Sequence, residues 1–259
     1  MDNEIKNLFY ATDKFLHFFS DNLNKSEEAS DYLENRNIEK DTIKKFKIGY
    51  CPKIYDNILN FMDLEKIDHE IAKKIGIIKY DDNKKMYIPF SNRIVFPIFN
   101  PYDECVGFSC RTLKSIKPKY INSPTNLIYQ KRRTLYGLSM CKNELYKRKY
   151  VFIVEGNLDV IKCHQEGLTN IVCPMGTAFT EEQCKILKRY VNSIVIMFDG
   201  DEAGRKASKD AKILIKNYNL KYKIIKLPIG YDPDSFIDKY GIRKLKFYLK
   251  HILKGKKDE

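Results

Sequence analysis

The spacing of apolar residues changes along the chain, and those changes divide it. Residues 4 to about 50 carry apolar positions at helical intervals, and Ser26 followed by Glu27, Glu28 and the rhythm Ala29, Tyr32, Leu33 predicts a capped amphipathic helix ending near Asn37. A second short helix fits Asp41 to Phe46, closed by Gly49 and Pro52. From Met86 the period shortens: IVFPIF, the turn-like NPYDE and CVGFSCR read as two strands of a hairpin, with Pro97 marking an edge or a bulge. KSIKPKYINSP reads as a loop or extended arm, and Ser139 to Lys147 as a basic helix.

A new unit opens near Lys149, giving expected domains of 1–148 and 149–259. There short apolar strands (VFIVEG, NIVCPMG, SIVIMFDGD, KYKIIKLP) alternate with helices (NLDVIKCHQEGL, TEEQCKILKRY, EAGRKASKDAKILIKNY) before the loop IGYDPDS. Thr180 and Gln183 form a capping box. Strands alternating with helices of this length imply right-handed crossovers and a parallel sheet, so the fold class is α/β, with an α+β N-terminal subdomain. The tail KGKKDE is expected to fray.

Composition narrows the function classes. Lysine and arginine total 47 against 34 acids, a formal charge of +13, which suits a polyanionic partner, although an A/T-rich genome that inflates lysine produces the same excess. The N-terminus lacks the basic start and apolar run of a signal peptide, and no segment approaches the ~18 apolar residues of a membrane helix. A cytoplasmic enzyme without membrane contact is expected. The seven cysteines show no C-x-x-C pair or zinc spacing and read as reduced, packed thiols, so no zinc is expected.

Acids fall where an open parallel sheet binds ligands, outside the carboxyl ends of its strands. Glu155 closes the first strand, Asp199 and Asp201 the third, Asp232 and Asp234 follow the fourth, and Asp159 lies one turn into the helix after Glu155. Six carboxylates on one rim repel unless cations sit among them, and all-oxygen ligands point to Mg²⁺ or Mn²⁺ and to phosphoryl or nucleotidyl transfer. Taken singly, Asp201 could simply cap a helix and Asp232 and Asp234 make turns.

The runs VFIVEGNLDVI, GTAFTEEQ, FDGDEAGRKA and DPDSF resemble, in order and spacing, the Toprim domain of bacterial DnaG-like primases. EEASDYLENRNIEKDTIKKFKIGYCP, NRIVFPIFN, GFSCR, KPKYINSP and LYGL resemble the primase subdomain that precedes it, so the likeness runs from about residue 15 to 240. The resemblance implies a primase core making short RNA primers on single-stranded DNA. Glu155, Asp199 and Asp201 would hold metal, with Asp159, Asp232 and Asp234 as further catalytic acids. Arg93, Arg111, Lys119, Tyr120, Asn122 and Lys131 would line the template and nucleotide groove; Arg93 could instead pair with an acid, and Lys131 to Arg133 could be a solvated run. EGNLD departs from the family in replacing the aromatic and methionine common between Glu155 and Asp159. The resemblance also implies nucleoside triphosphates as substrates, and a replicative helicase and zinc-ribbon module supplied by other chains if the Met1 start marks a complete product, as in a phage, plasmid or organellar system. A Toprim nuclease, a topoisomerase and a non-catalytic DNA-binding scaffold remain as competing readings.

Overall fold

The computed structural model describes residues 2–114, 117–176 and 178–254, with side chains as far as Lys250. Ser115 and Ile116 of the charged arm, Thr177 and the tail beyond Lys254 lie outside the described residues. The chain divides into two compact units, Met1–Lys131 and Arg132–Glu259.

In the first unit, α1 (Asp2–Leu23) turns Leu8, Ala11, Phe15, Leu16 and Phe19 onto one buried stripe. Its rings pack in sequence: Phe15 lies 5.6 Å from Phe19 in a tilted pair, and Phe19 meets Phe108 of the sheet edge to face at 5.2 Å. Each such phenyl group contributes about 1.5–3 kcal/mol by leaving water. Helix α2 (Glu27–Glu34) begins as expected at Ser26, whose hydroxyl accepts from the Ala29 N–H, and α3 (Lys40–Phe46) ends on Lys47 in the left-handed region. The segment expected to close that helix is instead a strand, β1 (Gly49–Cys51). Two helices not foreseen follow, α4 (Tyr55–Leu64) and α5 (His69–Ile75), the latter capped by Asp68 and ended by Gly76 at φ 88°. A small ribbon pairs β2 (Lys79–Tyr80) with β3 (Met86–Tyr87).

The expected hairpin is β4 (Arg93–Phe99) and β5 (Cys105–Thr112), and the expected arm supplies a further strand, β6 (Tyr120–Asn122). The sheet runs β1-β4-β5-β6, antiparallel throughout. Pro97 is tolerated because β1 pairs only with Arg93 to Val95, which leaves the β4 edge open beyond them, and a bulge follows at Ile98/Phe99.

The second unit begins before the expected boundary at 148/149. Strand β7 (Leu135–Tyr136) pairs antiparallel with a strand of this unit, and α6 (Leu138–Arg148) buries Leu138, Cys141 and Leu145 in its core. Gly137, at φ 85°, joins them where a Cβ would lie 2.8 Å from Val160 Cγ1. The chain then alternates as predicted: β8 (Tyr150–Ile153), α7 (Asn157–Gln165), β9 (Ile171–Pro174), α8 (Glu181–Leu187), β10 (Ser193–Ile196), α9 (Glu202–Asn217), β11 (Lys221–Ile224) and α10 (Pro233–Lys254), which breaks at Gly241. Strand order is β11-β10-β8-β9-β7, parallel except for β7. The Thr180–Gln183 capping box is present in both directions.

Candidate active site

Strands β8 and β10 are neighbours, yet the chain leaves β8 toward β9 on one side and leaves β10 toward β11 on the other. Diverging crossovers open a crevice at the carboxyl ends of these two strands. Glu155 follows β8 at that point, and Asp199 and Asp201 follow β10.

The backbone holds the acids closely. Glu155 Oε1 accepts from the Asp199 N–H at 3.1 Å, which ties the end of one strand to the other. Asp201 caps α9 by accepting from the Gly204 N–H at 2.8 Å. A Cβ on Gly204 would stand 2.3 Å from the Asp199 carbonyl oxygen and 2.8 Å from Glu155 Oε1, so the first turn of α9 rests directly on the two acids. Gly200, between Asp199 and Asp201, donates to the Tyr231 carbonyl at 2.9 Å and leaves no room for a side chain beside Pro228. That contact presses the D-G-D turn onto the loop carrying Asp232.

Asp159 is buried and serves backbone donors: Oδ2 accepts from the Gly156 N–H at 2.9 Å and Oδ1 from the Asp234 N–H at 3.2 Å. It therefore joins the Glu155 loop to the start of α10. Asp232 turns its carboxylate onto the Ser235 N–H and hydroxyl, capping α10. Asp234 is buried.

Electrostatics follow from this crowding. Burial is the main reason the Glu155 carboxyl titrates above its ordinary range; the Asp199 N–H opposes the shift, and Asp201 and Asp232 add to it. Burial also pushes Asp159 well above its ordinary value, reinforced by the charges of Asp232 and Asp199. Among the described residues, no three acidic, histidine or cysteine side chains form a ready-made ligand cage. Asp201 and Asp232 are turned onto helix N-termini, so the cap and turn roles anticipated for them are real. The donor set nevertheless suits a hard divalent cation: it is all carboxylate, and its members repel one another.

The first unit carries the candidate nucleic-acid residues, which divide between the two faces of the sheet. Ile94 pairs with Arg111 and Arg111 with Tyr120, while Ser109 pairs with Asn122, so Arg111, Tyr120 and Asn122 share one face. Arg111 is 7% exposed; its Nη1 donates to the Tyr120 hydroxyl at 2.9 Å. Arg93 pairs with Thr112 and so points to the opposite face, where Nη1 donates to the carbonyls of Pro118 at 3.0 Å and Lys119 at 3.4 Å. Among the described residues it pairs with no acid but fastens the arm, and burial lowers its pKa. Lys119 is exposed at the entry to β6, and Lys131 is partly buried in a turn.

Sequence reasoning missed the residues that seat the acids. Ser235 was readable as the capping partner in DPDS, whereas the approach of Gly204 to Asp199 depends on how α9 docks, and no local pattern signals it.

Comparison with known proteins agrees with this geometry. Residues 18–142 match the family model described as DNA primase catalytic core, N-terminal domain, and residues 152–237 match a Toprim-like model. The DNA primase of Clostridium acetobutylicum is 37% identical over 225 residues, spanning 86% of this chain and 37% of that protein. The chain thus spans about two fifths of the length of such curated relatives. A DNA primase domain from Pseudomonas aeruginosa superposes with a TM-score of 0.86 at 31% identity, covering 95% of this chain and 78% of that one. A DnaG primase catalytic domain bound to ssDNA superposes with a TM-score of 0.89 at 28% identity, covering 97% and 83%. With both family models in order and the fold shared along nearly its whole length, this chain belongs to the family of DnaG-type DNA primase catalytic cores.

Proposed function

We propose that this chain performs the nucleotidyl transfer of a DNA primase, making short RNA primers from nucleoside triphosphates on a single-stranded DNA template. The observation that carries the reading is the convergence of Glu155 and Asp199 at the crevice between β8 and β10, with Asp201 beside them. Membership of a Toprim-containing primase family implies divalent-metal use, and Mg²⁺ or Mn²⁺ is the cation that an all-carboxylate rim selects. When bound, such ions would activate a ribose 3′-hydroxyl and stabilise the departing pyrophosphate.

The protein's own residues divide the remaining work. Glu155, Asp199 and Asp201 would offer the oxygen ligands, Asp201 giving up its helix cap as required, with Asp232 and Asp234 as further acids beside them. Asp159, whose carboxylate is committed to two backbone donors, positions the Glu155 loop against α10. Arg111, Tyr120, Asn122, Lys119 and Lys131 would hold the phosphates and bases of template or nucleotide, cations on phosphate and the tyrosine ring on a base. Arg93 would act through the arm it fastens. The relative solved with ssDNA supports a single-stranded template. A zinc-ribbon module and a contact with the replicative helicase would come from other segments or chains. Among the described residues no helix is long and apolar enough to cross a membrane, consistent with work in the cytoplasm or an equivalent organellar or host compartment.

The test is incorporation of labelled ribonucleotides on single-stranded DNA with Mg²⁺ or Mn²⁺, beside Asp199→Asn. Short new oligomers that vanish in the variant and on chelation are expected. Shortened template without new oligomers would instead identify a nuclease, and DNA binding indifferent to Asp199→Asn without any product would identify a scaffold.

A further inference from the structure

Arg111 poses a problem that its assignment to a template groove leaves open. Its side chain is almost wholly buried, yet among the described residues no carboxylate forms an ion pair with it. A buried cation is costly unless an anion or a set of polarisable partners compensates it. Aromatic faces take that place here. The guanidinium carbon lies 5.4 Å from the centre of the Tyr120 ring and 5.7 Å from that of Tyr32, on helix α2. Both distances are within the range of cation–π attraction, which grows as water is removed. Arg36, in the turn that follows α2, also lies over the Tyr32 ring, at 6.0 Å.

Two rings fix the plane of the guanidinium without neutralising it. The Tyr120 hydroxyl takes one N–H, and the edge of a planar fork held this way remains suited to a phosphate. The Tyr32 ring, and not its hydroxyl, makes this contact: the hydroxyl oxygen is buried with no hydrogen-bond partner among the described residues. We propose that Tyr32 is a positioning residue of the nucleic-acid site, its ring holding Arg111 so that the guanidinium edge meets a phosphate group of bound strand or nucleotide. The inference rests on the primase reading for the identity of the ligand and adds to it a residue on α2, outside the sheet that carries Arg111, Tyr120 and Asn122.

The experiment titrates the full chain with a fluorescein-labelled single-stranded DNA oligonucleotide across a salt series, and separately with a fluorescent ribonucleoside triphosphate. Tyr32→Leu should weaken binding about tenfold, the loss of one charge-assisted contact. For the strand, the slope of log affinity against log salt should also fall by about 0.7, one phosphate contact fewer. Tyr32→Phe should match the parent protein, because it keeps the ring. In an Arg111→Met background Tyr32→Leu should cost nothing more, since Tyr32 acts through Arg111. A ring that merely filled space would still cost affinity in that background. A defect in the oligonucleotide arm assigns the phosphate to the strand, and one confined to the triphosphate arm assigns it to the nucleotide. Equal binding by Tyr32→Leu and Tyr32→Phe, or additive losses in the double variant, would overturn the inference while leaving the primase reading intact. A parent chain that binds neither probe would overturn both.

Discussion

Gly204→Ala sets two effects of opposite sign against each other, and the structure decides between them. Alanine is the better helix former by about 1 kcal/mol at an interior helical position. At Gly204, however, the new methyl would stand 2.3 Å from the Asp199 carbonyl oxygen, 2.9 Å from the Asp199 nitrogen and 2.8 Å from Glu155 Oε1. Carbon normally meets a carbonyl oxygen no closer than about 3.3 Å, so α9 or the D-G-D turn must retreat by roughly 1 Å. Two of the three obstructing atoms are backbone, which cannot swing aside as a side-chain end can. Overpacking of this kind costs about 1–3 kcal/mol, so the net change should be a loss of up to about 2 kcal/mol. Activity should suffer more, because a 1 Å misplacement at a reacting centre costs about 100-fold. Urea denaturation and metal-dependent incorporation of ribonucleotides on single-stranded DNA would be measured on the same preparations. A variant more stable than its parent, with full activity, would refute the argument that α9 is seated on the acids.

The buried Lys162 ammonium pairs with the partly exposed Asp238 carboxylate, so the two halves of the pair should respond unequally. Asp238→Ala, which takes the carboxylate from a 3%-exposed lysine, should cost about 3 kcal/mol in chemical denaturation, whereas Lys162→Met should stay within about 1 kcal/mol; equal costs would count against the burial asymmetry. All seven cysteines are buried, and burial pushes Cys105 and Cys141 up to about 12 and Cys184 up to about 11. A thiol reagent at pH 8 should therefore find no fast-reacting group until the protein unfolds. Because folded pKa values are raised, the thiol contribution to stability should be complete below the unfolded value of ~8.5 and decline as pH climbs toward 11 and 12; rapid labelling of native protein would contradict this.

How much of the molecule was legible depended on whether a feature is local. The four parallel strands and their helices could be read because each strand is a short apolar run and each crossover carries its own signals, such as Thr180 and Gln183. The placement of Glu155, Asp199 and Asp201 could be read because each follows the end of a strand, which is where an open sheet binds ligands. Strand β1 could not: Gly49, Tyr50 and Cys51 form no alternating pattern and become a strand only by pairing with β4. Strand β6 likewise exists through its pairing with β5. Helix α5 did carry signals, Asp68 at its start and Gly76 at its end, but with seven residues its apolar period is too brief to stand out.

The division of Arg93 from Arg111 shows what a single backbone irregularity can hide. Carried without interruption from the Phe99–Cys105 pair, the β4–β5 ladder would set Arg93 directly opposite Arg111 on one face, two like charges in contact. The bulge at Ile98/Phe99 admits Val106 as an extra residue and shifts the register, so that Arg93 faces Thr112 and Arg111 faces Ile94. A one-residue shift moves a side chain to the other surface of a sheet. One arginine is thereby committed to the carbonyls of Pro118 and Lys119, and the other to the rings of Tyr32 and Tyr120. Both arginines are equally basic and equally placed within strands, so composition and motif order group them together; the bulge, which no residue of NPYDE announces, gives them separate tasks.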